Sequence, residues 1–341
     1  MDLSIIVPFF NAEDSIGDCI ESLLSQGLDK DRYEIILLND GSTDGGRTVV
    51  EQYSAQNENL LLVNDVNKGV YAQRNQGLKL ACGRYIFFID ADDYLLNGTL
   101  GKILRFAIEN ELQLMGFQSK TTDERYAGKT TESKTHQSNY FIGSGASYLL
   151  EHPNTRLEIW WYLINRAYLD RIGLSFYEGY YHADVPFTMQ LWTKADQVAF
   201  CPEILHRYYQ SHGSIIRNSS GAGYQKRFVS SLVMFDKIKD IVAELRQENK
   251  PYTQQLTHIL KMRTDQYVFF FLVGILRSQL PFSDLKKAIK KLVDAEAYPM
   301  EEYLNTHDPE LKIRILTKIF NRPSLLKMCF RCYRASKKLK F

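Results

Sequence analysis

Apolar and polar positions alternate along the first hundred residues in two rhythms. Four short runs are almost continuously apolar: Leu3-Ser4-Ile5-Ile6-Val7, Tyr33-Glu34-Ile35-Ile36-Leu37-Leu38, Asn59-Leu60-Leu61-Leu62-Val63 and Ile86-Phe87-Phe88-Ile89. Runs of this length, bounded by turn formers, predict strands buried on both faces of a parallel sheet. Between them the spacing changes. Within 15–25, Ile16, Cys19, Ile20, Leu23 and Leu24 recur three and four apart, the signature of one helical face, and 48–56 and 71–81 are also compatible with helices. Strand alternating with helix at this spacing predicts a β-α-β-α-β-α-β order and an α/β fold with helices on both faces of the sheet.

Every predicted strand ends in a polar or turn-forming loop. These are Pro8-Phe9-Phe10-Asn11, the stretch from Asn39 through Gly46, Asn64-Asp65-Val66-Asn67-Lys68-Gly69, and Asp90-Ala91-Asp92-Asp93. Ligands of parallel sheets bind beyond the carboxyl ends of the strands, so these loops predict a crevice along one sheet edge. The last loop carries three carboxylates and no base. Hard oxygen ligands suit Mg²⁺ or Mn²⁺, which bind through one or two carboxylates while water and substrate phosphates complete the shell. An ordinary acidic turn is the alternative, because Asp stabilises turns through its own side chain.

Five segments, in order, resemble the family 2 glycosyltransferases. They are Ile6-Val7-Pro8-Phe9-Phe10-Asn11, Asn39-Asp40-Gly41-Ser42-Thr43-Asp44, Asn67-Lys68-Gly69, Gln73-Arg74-Asn75-Gln76-Gly77 with the following Ala81-Cys82-Gly83-Arg84-Tyr85-Ile86, and Asp90-Ala91-Asp92-Asp93. The resemblance covers 3–98 and implies a GT-A fold, Rossmann-like and mainly parallel, that transfers a sugar from a nucleoside diphosphate, usually UDP. It implies donor contacts from Pro8, Phe10, Asn11, Asp40, Lys68, Arg74, Asp90 and Asp93. Residue chemistry agrees. Pro8 can hold the first loop open against a flat ring on which Phe9 and Phe10 stack. Asp40 can accept from a base edge or ribose, with an Asx turn or helix cap as the rival role, one better suited to Asp44. Arg74, preceded by Gln73 where the family often has alanine, can fork onto a diphosphate. Asp92 is the expected direct metal ligand. Asp90 is expected at ribose or a metal-bound water, and Asp93 at donor sugar hydroxyls or as a turn cap.

Beyond residue 98 the pattern becomes less regular. The polar stretch 120–138 predicts an exposed loop, and of the adjacent Trp160 and Trp161 one is expected in the core and one on a cleft, since neighbouring positions cannot share a face. Residues 176–187 resemble the family's second acidic element, with Ala183 standing where Glu is usual. That leaves Asp184 as the expected general base on an acceptor hydroxyl, assisted or replaced by His182; the rival role for Asp184 is capping the following helix. The segment 206–215 resembles the end of the catalytic domain. Tyr209 occupies a position that often holds arginine, so Arg207 or Arg217 is expected to supply that charge, and His212 is a candidate metal ligand.

From residue 224 onward helical spacing dominates, and the apolar run 267–276 is too short for a membrane span of ~20 residues and predicts a buried helix. The last thirty-one residues hold ten bases and no acid, against 32 bases and 40 acids in the rest of the chain. Interleaved apolar residues make this tail amphipathic, consistent with a peripheral contact at an anionic membrane or with pairing to an acidic protein surface. Nucleic acid is disfavoured because no binding motif accompanies the bases. The expected organisation is a catalytic domain over 1–222, with a nucleotide-sugar half over 1–98 and an acceptor half over 99–222, then a helical region over 223–341 with its basic tail at 311–341. Five cysteines without metal spacing, together with no signal peptide after Met1, predict a cytoplasmic protein, for which the basic tail allows a peripheral place at the inner face of the cell membrane. The function expected is an inverting hexosyl transfer from a UDP-sugar to a glycan or lipid-linked glycan acceptor in surface-polysaccharide synthesis, aided by Mn²⁺ or Mg²⁺. A non-catalytic nucleotide-sugar-binding module, encouraged by Ala183, and a DxD phosphatase are the alternatives.

Overall fold

The computed structural model describes residues 1–128, 139–210, 221–248, 250–278, 280–301 and 311–338. Its first compact unit comprises Met1–Tyr148, Arg156–Gly179 and Ala183–Arg217; the second comprises Leu149–Thr155, Tyr180–His182 and Asn218–Phe341.

In the first unit the predicted alternation is realised as β1 (Leu3–Phe9), α1 (Ile16–Leu24), β2 (Tyr33–Asn39), α2 (Gly46–Ser54), β3 (Leu60–Asn64), α3 (Val70–Leu80) and β4 (Tyr85–Phe88). β1 pairs in parallel with both β2 and β4, and β2 with β3. All four strands therefore deliver their carboxyl ends to one edge. The rest of the sheet is built from β5 (Tyr94–Leu95), β6 (Leu114–Thr122), β7 (Phe141–Gly143), β8 (Tyr162–Asn165) and β9 (Val198–Tyr209), in the order β3-β2-β1-β4-β8-β6-β9-β5 with β7 also on β9. This half is mixed. β8 runs antiparallel to β4 and β6, while β6 and β9 are parallel. Helices α4 (Leu100–Glu109), α5 (Gly145–Glu151), α6 (Arg166–Ile172) and α7 (Asp184–Lys194) complete the described helices up to residue 210.

Close packing explains several sequence choices. α3 lies directly on β1, and a Cβ at Gly77 would stand 2.5 Å from Ile6 Cγ2, so only glycine permits this approach. Pro8 sits inside the central strand β1. Ile6 accepts a hydrogen bond from Ile89 on the β4 side, so by alternation the missing amide of Pro8 falls on that same side, two residues on, where β4 has ended.

Three expectations are corrected here. Pro8 is buried strand rather than an opener of the first loop. The predicted 120–138 loop begins later, because residues through Thr122 extend β6 beside β9; residues 129–138 lie outside the described set. Trp160 and Trp161 are both buried. The sheet has an aromatic layer on each side: Trp160 stacks on His206 at 4.5 Å, and Trp161 on Trp192 at 4.9 Å. Alternation does place the two indoles on opposite faces, but neither face is open.

The second unit is helical. α8 (Gly221–Glu248) and α9 (Thr253–Arg277) pack through Phe271, whose ring meets those of Phe228 and Phe235. The apolar run at 267–276 lies within α9, with Val268, Leu272 and Ile275 in the core. α10 (Phe282–Asp294) packs on α8, while α11 (Leu311–Phe320) and α12 (Pro323–Lys338) pack on α9. Among the described residues no helix is long and apolar enough to cross a membrane.

Candidate active site

The first two strand-end loops are stitched together by short polar side chains. Asn11, in a left-handed conformation at φ 48°, accepts from the Thr43 amide at 2.8 Å, and its own amide donates to Ser42 Oγ at 3.1 Å. Asp44 accepts from the Gly46 amide two residues on and from the Glu13 amide, which is the Asx-turn role expected of it. Asp40 does something else. Its buried carboxylate accepts from the Lys68 amide at 2.7 Å, the Gly69 amide at 3.0 Å and Gln73 Nε2 at 2.9 Å. Gly69 has φ +92°, so this grip holds a turn that an L side chain rarely adopts, immediately before α3. Gln73 thus serves as a third donor to Asp40. The Lys68 side chain points away to Asp65 at 2.7 Å, and Phe10 is exposed while Phe9 is buried.

In the fourth loop the three carboxylates have separate environments. Asp90 accepts from Arg74 Nη2 at 2.6 Å. Burial weakens the Arg74 charge, but Asp90, Tyr71 and Asp184 together raise its pKa above the usual value. Asp93 is turned inward: its carboxylate accepts from the Tyr209 amide at 2.9 Å and lies 3.2 Å from His206 Nε2, both side chains fully enclosed. Burial lowers the His206 pKa to about 3, and burial followed by repulsion from Asp90 pushes that of Asp93 well upward, so the pair is held neutral. His206 Nδ1 meets Ser119 Oγ at 2.9 Å.

Asp92 is left without a cation partner among the described residues. Desolvation, then repulsion from Asp93 and Asp90, pushes its pKa up to about 7. A half-enclosed carboxylate crowded by others and lacking a counter-charge suits a divalent ion. No set of three ligating side chains converges among the described residues. The donor set therefore matches an ion held by Asp92 and the remaining oxygen of Asp90, with phosphate and water supplying the rest, as Mg²⁺ and Mn²⁺ commonly accept. Two buried guanidinium atoms, Arg74 Nε and Arg207 Nη1, have no hydrogen-bond partner among the described residues. Such orphaned donors suit an anionic ligand.

The second acidic element reaches this cluster through one side chain. Tyr71, three residues before Arg74 on α3, donates to Asp184 Oδ1 at 2.9 Å, and the Arg74 guanidinium lies over the Tyr71 ring at 5.3 Å. Asp90, Arg74, Tyr71 and Asp184 are thus consecutive contacts. Asn75 supports the arrangement by clasping the backbone of Phe176 in both directions and accepting no water-exposed role of its own; its amide nitrogen also meets Glu178 at 2.9 Å. Phe176 then stacks on Phe187 of α7 at 4.0 Å. The residue preceding α7 is Ala183, which offers no side-chain cap, and Asp184 is the first residue of the helix with its carboxylate on Tyr71. The capping role for Asp184 is therefore not what the structure has.

With this geometry in place, the relatives can be compared. Residues 4–169 match the family model described as Glycosyl transferase family 2. That match spans just under half of the chain. It is 32% identical over 220 residues to the uncharacterized glycosyltransferase EpsJ of Bacillus subtilis (strain 168), a match covering 62% of this chain and 62% of EpsJ. It is 36% identical over 138 residues to the poly(ribitol-phosphate) beta-glucosyltransferase of Bacillus spizizenii, covering 40% of this chain and 22% of that protein. In fold it resembles S. aureus TarS 1-349, crystallised in complex with UDP-GlcNAc, with a TM-score of 0.71 at 20% identity over 99% of this chain and 92% of that one. The sheet and its helices are a GT-A fold, followed by a C-terminal helical region.

Within this fold the expected residues separate into those at the loop edge and those that hold it. Asn11, Asp40, Arg74, Asp90, Asp92 and Asp184 gather around the carboxyl ends of the parallel strands. Asp93 does not fit direct contact with a donor sugar, since its carboxylate has no exposed surface. His182 has φ 62° in the turn before α7 and belongs to the second compact unit. Arg207 lies on β9 opposite Tyr94. His212 and Arg217 fall outside the described residues. Sequence reasoning passed over Tyr71, although its spacing of three from Arg74 on a helix marks a shared face. It also passed over His206 as a partner of Asp93, for which the sequence carries no signal.

Proposed function

We propose that the protein transfers one hexose-type sugar, with inversion, from a UDP-sugar to a hydroxyl of a glycan or lipid-linked glycan in surface-polysaccharide synthesis. The observation that carries this reading is the contact series Asp90, Arg74, Tyr71, Asp184, which links the acidic loop to a carboxylate whose second oxygen is unshared among the described residues. The names of the relatives support the substrate class: one is a poly(ribitol-phosphate) beta-glucosyltransferase, and TarS holds UDP-GlcNAc.

In this mechanism Asp184 accepts the proton of the acceptor hydroxyl as that oxygen attacks the anomeric carbon from the face opposite the diphosphate. Tyr71 fixes the carboxylate by occupying Oδ1, which leaves Oδ2 for the acceptor. Arg74 and Arg207 offer their free N–H groups to the departing diphosphate, where charge develops. Bound Mn²⁺ or Mg²⁺, held by Asp92 and Asp90, would supply Lewis-acid neutralisation of that same charge. Asp40 shapes the 67–69 turn against the nucleoside, and Asn11 the facing loop.

Calorimetric titration of UDP with and without Mn²⁺, followed by mass-detected hydrolysis of a panel of nucleotide sugars, tests the reading. UDP binding strengthened by Mn²⁺ and slow release of one sugar are expected. Absence of UDP binding refutes the transferase, and binding with no turnover toward any donor favours the non-catalytic module.

A further inference from the structure

We propose that the outward faces of α10, α11 and α12 form a docking surface for an anionic lipid bilayer. In sequence the lysines of α10 belong to the acidic body of the chain; folding joins them to the basic tail. The Phe282 ring at the start of α10 lies 5.5 Å from Phe330 of α12 and receives two cations, Lys286 Nζ at 5.5 Å and Lys327 Nζ at 5.3 Å. Two ammonium groups brought to one ring repel each other, and neither pairs with a described acid. Of the α10 lysines only Lys287 pairs with a described carboxylate, Asp284 at 3.5 Å, and the described bases of α11 and α12 form no ion pair with any described acid. Among the described residues, a surface organised this way lacks its counter-charge.

Apolar side chains identify the class of partner. α11 buries Thr317 and Phe320, so its opposite face carries Leu311, Lys312, Arg314, Ile315 and Lys318 outward, with Leu311 at 74% and Ile315 at 50% exposure. Met328 does the same on α12, one turn from Arg331. Nucleic acid or an acidic protein would be met by the bases alone. Bases interspersed with exposed aliphatic side chains match the boundary between anionic headgroups and acyl chains.

Flotation of the full chain with phosphatidylglycerol/phosphatidylcholine vesicles, and with phosphatidylcholine alone, tests this without donor or acceptor, so its outcome is independent of the transferase reading. Binding confined to the anionic vesicles and weakened by salt is expected. The Lys286→Gln, Lys327→Gln, Arg331→Gln triple variant should bind about a hundredfold more weakly, at about fivefold per base. The Ile315→Ser, Met328→Ser variant should lose vesicle binding while keeping wild-type retention on heparin. Both alter exposed or half-exposed side chains, and unchanged melting curves verify folding. Equal binding to both vesicle types, no binding at all, or wild-type flotation of either variant overturns the proposal; undiminished flotation of the serine variant with strong heparin retention would point instead to a soluble polyanion.

Discussion

Replacing Asp92 with Asn should stabilise the metal-free protein while abolishing its response to metal. Asp92 carries a pKa raised from 3.8 to about 7 by burial and by its two acidic neighbours. A carboxyl whose folded pKa is raised favours the folded state only while protonated, so stability falls as pH rises through the window between these values and the full penalty stands above it. At about 1.4 kcal/mol per pH unit the penalty is about 1.6 kcal/mol at pH 5 and about 4 kcal/mol at pH 8. Asn is nearly isosteric and uncharged, and removes the penalty at both. Urea unfolding in chelator at the two pH values measures it: the variant should gain over the wild type at pH 8, and by about 2.5 kcal/mol less at pH 5. Titration of UDP into the variant should show no enhancement by Mn²⁺. A variant no more stable than wild type at pH 8, or a gain independent of pH, would refute the claim that burial and like charges penalise the ionised Asp92 carboxylate.

Tyr71→Phe keeps the ring under Arg74 and removes one hydrogen bond to a carboxylate, a loss of about 1.5–3 kcal/mol that should lower kcat about 10- to 150-fold with donor KM unchanged; an unaltered kcat in steady-state assays would exclude the positioning role. Asp184→Asn should retain UDP affinity by calorimetry yet lose transfer, and full transfer would remove Asp184 as the base. His206→Ala leaves the Asp93 carboxyl buried without its partner and opens a void under Trp160, costing about 2–4 kcal/mol in denaturant unfolding, whereas Ser119→Ala, at the partly buried end of this contact series, should cost no more than about 1.5 kcal/mol.

Much of the ligand edge is legible in the sequence because it is local. An apolar run ending in Asn-Asp-Gly or Asp-Ala-Asp-Asp announces both the strand and what lies at its end, and parallel alternation puts all such ends together. Side-chain direction is less accessible. Asp92 and Asp93 are neighbours, yet one is half-exposed and the other enclosed against β9, and this depends on where β9 lies. The two tryptophans show the limit of alternation, which separates faces without revealing that α7 covers one and β9's His206 fills the other.

By itself the sequence determined the α/β alternation, the acidic loop after the fourth strand, the helical C-terminal region and the segregation of positive charge, since each follows from residues within a turn or a strand of one another. Tertiary structure alone decided that Tyr71 holds Asp184, 113 residues away, that Asp93 locks onto Tyr209 across 116 residues, and that α10 joins the basic tail at Phe282. Those contacts are made between segments whose patterns carry no information about each other; only the packing of complete elements brings them within hydrogen-bond reach.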